Sequence, residues 1–146
     1  MHRPMKAFPI LSCFFLLSVS LPAEKVTIQK IGGKATLLVG GEPFQVHGVG
    51  GDGDLGKLKA SGGNAVRTWG IDKNTQAILD DAHTQGIKVA LGFWLGHERH
   101  GFSYTDWDSN VNQAESLFAA VKKYKDHPAL LLWGLGNEME GFGKSS

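Results

Sequence analysis

Short apolar segments alternate with helical segments from residue 64 onward, and this alternation constrains the fold more than any other feature. Apolar stretches occur in NAVRTWG, IKVALGFWL and ALLLWGLG, and segments with apolar residues at three- and four-residue spacing separate them. Nearly uninterrupted apolar strands joined by helices are typical of a parallel sheet that helices cover on both faces. The sequence therefore predicts an α/β fold.

The segments between these strands carry signals for the start and the end of helices. Asp54 and Asn74 are predicted N-caps, because their side chains can accept hydrogen bonds from the free N–H groups of the first turn. Gly62 and Gly86 are predicted to end the same two helices, and Pro128 follows the third. The third helix has the clearest periodicity, with apolar residues at Val111, Ala114, Leu117, Phe118, Val121 and Tyr124.

Residues 25–46 have a different pattern, in which β-branched or apolar residues alternate with polar ones. Two GG pairs interrupt this pattern. Paired glycines between alternating segments favour tight hairpin turns, so we expect a β-hairpin that leads into another short strand.

Residues 1–23 have the pattern of an export signal. Arg3 and Lys6 precede an apolar stretch, and Ala23 provides a small residue for cleavage. We expect export to the periplasm or beyond the cell, without stable membrane insertion after cleavage; an uncleaved membrane anchor is the alternative. The only cysteine, Cys13, lies in this segment, so residues 24–146 are expected to form one domain without disulfides.

Charge and composition exclude some classes of function. Fifteen Lys and Arg residues against fourteen Asp and Glu residues leave no basic surplus of the kind that nucleic-acid binding requires. An aromatic content of 10% suits a sugar-stacking surface or an apolar cleft equally well. No cofactor is predicted.

Polar and aromatic residues follow four successive predicted strands. The carboxyl ends of parallel strands meet at one edge of a sheet, where the chemistry of α/β folds is concentrated. The sequence therefore predicts one site that gathers these residues. They are His47, Arg67, Trp69, Trp94, His97, Asn137 and Glu138.

Glu138 is the main candidate for catalysis. A carboxylic acid at a strand end, beside an amide and near aromatic residues, suits general acid catalysis of glycoside cleavage; a solvated acid at the strand exit is the alternative. Glu140 is expected to lie in the following loop without a role. Arg67 follows apolar residues, so it should pair with a carboxylate or a substrate oxygen in the cleft, or form a structural salt bridge.

The segment HERH, residues 97–100, contains His and Glu, which are residue types that bind zinc. The zincin motif places two histidines four residues apart on a helix, whereas His97 and His100 are three apart in a predicted loop. We therefore predict no metal, and expect His97 to contact sugar hydroxyls or to be a plain loop residue. Trp69 and Trp94 could stack on sugar rings, although core packing is an equal alternative for each.

Three segments resemble one large clan of enzymes. YKDHPALLLWGLGNEME is similar to the fourth-strand segment of the retaining (β/α)8-barrel glycoside hydrolases, in which a helix leads into a strand that ends in Asn-Glu. GGEPFQVHGVG resembles the segment that opens the barrel in family 2 and family 5 enzymes, and GGNAVRTWG resembles their second strand. The three motifs occur in the same order as in those enzymes, over about residues 34–140.

The resemblance implies a role for each matching residue. Glu138 would be the acid/base that protonates the leaving oxygen and later activates water, and Asn137 would bind the sugar 2-hydroxyl. Arg67 would match the arginine that orients the nucleophile. His47 and Trp94 would line the sugar subsites.

The resemblance also implies that a part of the site lies elsewhere. In such enzymes the nucleophilic glutamate comes from the seventh strand, about 5 Å across the cleft. A complete barrel takes ~250 residues, whereas this sequence has 146. We therefore expect about the first four βα units of a (β/α)8 barrel, preceded by a short β-hairpin, and no substantial hydrolase activity from the chain alone.

Two alternatives of other classes stay open. The first is a non-catalytic carbohydrate-binding or assembly module, in which half-barrels pair to complete the sheet. The second is a metal-dependent hydrolase that uses His97, Glu98 and His100.

Overall fold

The computed structural model describes residues 23–139, which form two sheets and three α-helices. Nearly all of the predicted export signal, and Glu140 with it, therefore lies outside the described residues. The first sheet is antiparallel and contains β1 (Val26–Ile31), β2 (Lys34–Val39) and β3 (Glu42–Pro43). The remaining elements are β4 (Gly48–Gly50), α1 (Leu55–Ala60), β5 (Ala65–Arg67), α2 (Thr75–Gln85), β6 (Lys88–Phe93), a short 3-10 turn (Glu98–His100), α3 (Trp107–Tyr124) and β7 (Leu130–Leu135).

The antiparallel sheet forms through two tight turns, each built on a glycine pair. Gly32 and Gly33 join β1 to β2, and both have positive φ angles, 57° and 84°. Gly40 and Gly41 join β2 to β3 in the same way. Positive φ at two successive residues is the geometry that matches the twist of a hairpin, and glycine adopts it without steric cost. The predicted hairpin is confirmed.

The second sheet is parallel, and its strands follow chain order as β4-β5-β6-β7. One helix connects each pair of neighbouring strands, so the predicted alternation of strands and helices is confirmed, and with it the α/β class. Strand order never reverses, which distinguishes this sheet from a doubly wound one.

The predicted helix boundaries are correct for α1 and α2. The Asp54 side chain accepts a hydrogen bond from the Lys57 N–H at 3.0 Å, and Gly86 ends α2 with a φ of 66°. Asn74 occupies the N-cap position of α2, but its side chain makes no capping bond. The Asp72 carboxylate instead accepts from the Asn74 N–H at 2.8 Å and organises this turn.

A single hydrophobic core lies between the parallel sheet and its helices. All three helices contribute to it, and Val66, Val89 and Leu91 contribute from β5 and β6. The other residues of this core are Leu55, Leu79, Ala82, Ile87, Tyr124 and Ala129. Helices that follow right-handed crossovers in a constant direction collect on one face of a sheet.

The opposite face of the parallel sheet is not covered by any helix among the described residues, so the predicted covering on both faces is wrong there. Leu132 pairs in register with Ala90 on this face and is 43% exposed. Phe118 on α3 is also uncovered. Although it falls at helical spacing, α3 buries only Ala120 and Tyr124, and Phe118 is 69% exposed.

The N-terminal edge of the parallel sheet is tied together by polar contacts. The Asn64 side chain accepts from the His47 N–H and donates to the Gln45 carbonyl, both at 2.7 Å. Lys88 at the start of β6 donates to the Pro128 carbonyl at 3.0 Å and pairs with Glu24, which precedes β1. These contacts fix the chain before β4 against the starts of β5 and β6.

Candidate functional site

The C-terminal edge of the parallel sheet gathers most of the residues that the sequence singled out. Arg67 ends β5, and its Nη2 donates to Asn137 Oδ1 at 3.2 Å, across a separation of 70 residues. Both side chains are half-buried. This contact brings the residues after β7 to the end of β5, as the rule for parallel sheets predicts.

The Arg67–Asn137 contact also fixes the orientation of the amide. A guanidinium group can only donate hydrogen bonds, so the atom that faces Arg67 must be the amide oxygen. The amide NH₂ of Asn137 is then directed away from Arg67 and is free of this contact. Asn137 can therefore donate two hydrogen bonds to a hydroxyl or carbonyl oxygen of a ligand.

Trp69 lies beside Arg67 at the same edge. The Arg67 Cζ atom is 4.1 Å from the centroid of the Trp69 ring, which is a cation–π contact. The ring also packs on Gly50 at the end of β4, where a Cβ would lie 3.0 Å from Trp69 Cζ2. One ring face is thus engaged by the protein, although 43% of the residue is exposed.

Glu138 projects from the end of the segment that follows β7. Its side chain is 74% exposed, and its carboxylate is 3.4 Å from Arg99 Nη2. Its φ angle of 49° makes it the only non-glycine residue with a positive φ in the described part of the chain. Such a conformation is strained for a residue with a Cβ, and strain of this kind clusters at functional sites.

The segment between β6 and α3 carries a row of three rings. His97 lies between Trp94 and His100, with ring centroids 5.0 Å from the first and 5.3 Å from the second. Trp94 is half exposed, whereas His97 is only 5% exposed. Neither nitrogen of the His97 ring has a hydrogen-bond partner among the described residues.

Three cavities lie at or next to this edge. A small one of about 40 Å³ is lined by His97, Glu98, Arg99, Tyr104, Glu138 and Met139. A larger one of about 320 Å³ lies beside Trp69 and is lined by Asp52, Asp72 and Asn74 from the loops, by Ile78 from α2 and by Leu91 from β6, and a third of about 400 Å³ adjoins it and shares Asp52, Asn74 and Ile78. Neither of the two larger cavities includes Glu138, so we place the candidate site at the Arg67–Asn137–Glu138 group on chemical grounds.

His47 does not belong to this site, and the prediction that it follows a strand at the C-terminal edge is wrong. It precedes β4, and its carbonyl accepts a hydrogen bond from the Asn64 N–H at 2.8 Å, at the N-terminal edge. The error has a local cause. The segment PFQV has a stronger strand pattern than Gly48–Gly50, but the ladder forms at the latter.

Two residues of this edge were missed by the sequence analysis. Arg99 contacts Glu138, and the Tyr104 hydroxyl donates to the Gly96 carbonyl at 2.8 Å, beside the small cavity. Both lie in the loop before α3, where residues have no periodicity. No local pattern shows that Arg99 lies next to an acid 39 residues further along the chain.

Within residues 23–139, no group of three or more His, Cys, Asp and Glu side chains is placed to hold a metal ion. The His97 and His100 rings lie face to face, with an interplanar angle of 29°, so their nitrogens do not converge as two ligands of one ion would. No helix in the described range is long and apolar enough to cross a membrane.

No protein-family model matches the chain, and no curated protein matches it. The fold and the C-terminal edge define an α/β protein with a site that presents the Glu138 carboxylate, the Asn137 amide, the guanidinium groups of Arg67 and Arg99, and two tryptophans.

Proposed function

We propose that this chain supplies the acid/base half of a retaining β-glycosidase site, built on the first four βα units of a (β/α)8 barrel. The single observation that carries the proposal is the Arg67–Asn137 hydrogen bond of 3.2 Å, because it brings two motifs of the resemblance into one site. Chain-ordered parallel strands with all helices on one face are also what a barrel segment requires.

In this proposal Glu138 protonates the oxygen of the leaving group and then activates water. Its exposed carboxylate at the strand end is accessible to a ligand, and Arg99 holds it from one side. Asn137 binds the sugar 2-hydroxyl through its NH₂ group, because its oxygen is engaged by Arg67. A hydrogen bond to the 2-hydroxyl strengthens in the transition state of such reactions.

Trp94 and Trp69 contribute apolar ring surface for the sugar. Both are partly exposed at the same edge, and the C–H groups of a sugar pack well on an aromatic face. Each ring has one protein neighbour, Arg67 at 4.1 Å from the Trp69 ring and His97 at a centroid distance of 5.0 Å from the Trp94 ring. His97 is too deeply buried to touch a sugar directly.

A retaining mechanism needs a second carboxylate about 5 Å from the first. The resemblance places this nucleophile beyond the fourth strand, outside the described residues. Arg67 uses one of its five N–H donors on Asn137, so it can still orient a carboxylate across the cleft. We therefore expect the 146-residue chain to bind β-linked oligosaccharides and not to cleave them.

The test is a binding titration of β-linked oligosaccharides with two matched tryptophan variants. Trp94→Ala removes a ring at the site and is expected to weaken binding by about two- to tenfold. Trp107→Ala removes a ring that is 77% exposed at the start of α3 and lines neither the small cavity nor the cavity beside Trp69, so it should leave binding unchanged. Equal effects of the two variants, or no binding by the parent chain, would contradict the proposal.

A second measurement tests the expected lack of turnover. The purified chain is incubated with aryl β-glycosides, and release of the aryl group is followed. Turnover that disappears in Glu138→Gln would show a complete site and would overturn the expectation that the nucleophile lies elsewhere. Turnover that persists in Glu138→Gln would remove Glu138 from the acid/base role.

The two outer strands of the parallel sheet favour a second candidate function, a carbohydrate-binding assembly module. β4 and β7 are the outer strands of the sheet, and Leu132 and Leu135 of β7 are about half exposed. A free strand edge with apolar residues is a surface on which another strand can pair. Pairing of β7 with β4 of a second copy would complete eight strands, and sedimentation would then show a dimer that Leu135→Lys dissociates. A monomer at all concentrations would exclude it.

A further inference from the structure

The cavity beside Trp69 reaches from an exposed rim to the hydrophobic core. Asp52, Asp72 and Asn74 line it and are exposed, whereas Leu91, which also lines it, is only 1% exposed. Its volume is about 320 Å³, whereas an apolar cavity of roughly 150 Å³ already binds benzene. The cavity is therefore large enough for a small organic molecule.

A second cavity continues this space along α2. It has a volume of about 400 Å³ and shares four lining residues with the first cavity, among them Asn74 and Ile78. Ala77 and Asp81, further along α2, line only the second cavity. The two cavities are thus adjoining parts of one space beside the first turns of this helix, which we call the α2 cleft.

The base of the α2 cleft is apolar. Leu55 from α1, Val66 from β5 and Leu91 from β6 line it and belong to the hydrophobic core. Ile71 and Ile78 line it as well and are only partly buried. A ligand that covers such side chains removes apolar surface from water, which is favourable. The cleft therefore favours a ligand with an aromatic or alkyl body.

The charged residues that line the α2 cleft are all acids. They are Asp52, Asp72 and Asp81, and no Lys, Arg or His of the described residues lines either cavity. Carboxylates repel an anionic group, and they can only accept hydrogen bonds. The head group of a matching ligand is therefore a donor, either a neutral hydroxyl or an ammonium group.

We propose that the α2 cleft binds a small molecule that joins an aromatic or alkyl body to a hydroxyl or ammonium head group. The body packs on the apolar base, and the head group donates to the carboxylates. Trp69 forms part of the wall, and Arg67 Cζ lies 4.1 Å from the centroid of its ring, so the cleft adjoins the candidate site. Binding in the cleft does not depend on the proposed function, because neither Asn137 nor Glu138 lines it.

Three probes with the same ring and different head groups test this site. Benzyl alcohol, benzylammonium and benzoate are each titrated into the full 146-residue chain, and the backbone amides are followed by ¹H–¹⁵N NMR. Benzyl alcohol and benzylammonium should shift the amides of residues 51–53 and 68–78, which surround the cleft. Benzoate should bind at least about fivefold more weakly, because the carboxylates repel it.

Two isoleucine variants test the apolar base. Ile78→Ala removes surface that both cavities share and should weaken the binding of benzyl alcohol and benzylammonium alike by about threefold. Ile28→Ala is the matched control, because Ile28 lies on β1, is 73% exposed and lines neither cavity. It should leave both affinities unchanged. The backbone amide spectrum shows whether each variant is folded.

Two aspartate variants test the head group and do not disturb the core. Asp52→Asn removes one exposed carboxylate and should weaken benzylammonium by about two- to threefold while leaving benzyl alcohol unchanged. Asp108→Asn makes the same change in the first turn of α3, outside both cavities, and should alter neither affinity.

Three results would overturn the inference. They are equal affinities for the three probes, equal effects of Ile78→Ala and Ile28→Ala, and equal effects of Asp52→Asn and Asp108→Asn on benzylammonium. None of these measurements uses a sugar. A chain that binds β-linked oligosaccharides but no benzyl probe refutes this inference only, whereas a chain that binds the probes but no oligosaccharide refutes the proposed function only.

Discussion

The two edges of the parallel sheet differ in how completely their polar groups are paired. At the N-terminal edge, Asn64 uses both ends of its amide, and Lys88 contacts both Pro128 and Glu24. At the C-terminal edge, the His97 ring has no protein partner among the described residues, and Glu138 is 74% exposed with a strained backbone. We call the N-terminal edge the closed edge, because its polar groups are paired, and the C-terminal edge the open edge.

The N-terminal edge therefore serves mainly stability, whereas the C-terminal edge has polar groups that can bind a ligand. Paired polar groups hold the chain in place but have nothing left to offer a ligand, whereas groups without partners can bind one. In parallel α/β folds the loops after the strands are where function varies, and the opposite edge serves stability. Substitutions at the two edges should therefore affect different measurements.

The largest effect is expected from Gly92→Ala, which disturbs the sheet that carries both edges. A Cβ at Gly92 would lie 2.3 Å from the Thr68 carbonyl oxygen, in a place where the Thr68 hydroxyl also accepts from the Gly92 N–H at 3.0 Å. Strands cannot separate locally without losing these contacts, so we expect a loss of at least about 3 kcal/mol in the free energy of unfolding. Urea denaturation measures it.

The matched control for this change is Gly53→Ala. No atom lies within 4 Å of a Cβ built at Gly53, and its φ is not in the positive range. Its free energy of unfolding should change by less than about 0.5 kcal/mol. Similar losses in the two variants would mean that close packing between β5 and β6 does not prevent a side chain at position 92.

The next effect in size is expected at the closed edge. Asn64→Ala removes the acceptor of the His47 N–H and the donor to the Gln45 carbonyl, so it should cost about 1–2 kcal/mol of unfolding free energy. Asn64→Asp keeps the acceptor for the His47 N–H but sets a carboxylate oxygen against the Gln45 carbonyl, so it should cost at least as much as Asn64→Ala. Sugar binding should be equal in all three proteins, and a loss of affinity in Asn64→Ala would show that the edges are coupled.

A substitution at the open edge should weaken sugar binding more than it lowers the unfolding free energy. Asn137→Ala removes the group that we propose donates to the sugar and should weaken binding by about five- to tenfold. Its unfolding free energy should fall by less than about 1 kcal/mol, because it loses one half-buried hydrogen bond to Arg67. Asn112→Ala, on the exposed surface of α3, is the control and should alter neither measurement. If Asn137 were purely structural, Asn137→Ala would lower the unfolding free energy and leave sugar binding unchanged.

Local signals made much of the fold predictable. The glycine pairs indicated the hairpin turns, because two successive positive φ angles favour glycine. Asp54 and Gly86 indicated the start of α1 and the end of α2 through capping, which depends on a few neighbouring residues. The order of strands and helices followed from apolar patterns of the same short range.

The errors arose where long-range contacts decide the outcome. β4 has only three residues, two of which are glycines, so hydrophobic patterning could not locate it, and His47 was assigned to the wrong edge. Phe118 falls at the helical spacing of the apolar residues of α3 and is still 69% exposed, because only partner elements can bury a residue and none of those described covers it. The Arg99–Glu138 contact joins two loops and has no sequence signal.

The smallest effect is expected from Asp80 on α2, which contacts the turn that precedes β7. The Ala129 N–H donates to His127 Nδ1 at 3.2 Å, so His127 Nε2 carries the proton and donates to Asp80 at 3.0 Å. This hydrogen bond, with a second one from Gln76, lowers the pKa of Asp80 below its ordinary value of 3.8. The folded state therefore favours the carboxylate form.

A lowered pKa in the folded state contributes stability above the unfolded value, and this contribution is lost as the pH falls through the folded value. Asp80→Asn should thus lower the melting temperature at pH 7 by about 1–2 °C, because the carboxylate is at the surface. The difference from the parent chain should shrink once the pH falls below 3.8. Asp81→Asn, whose carboxylate accepts from Gln85 on the same helix, should show a smaller change at pH 7. If the two variants melt alike at every pH, the contact with His127 adds nothing to the closed edge, and the pairing of Asn64 and Lys88 alone accounts for its stability.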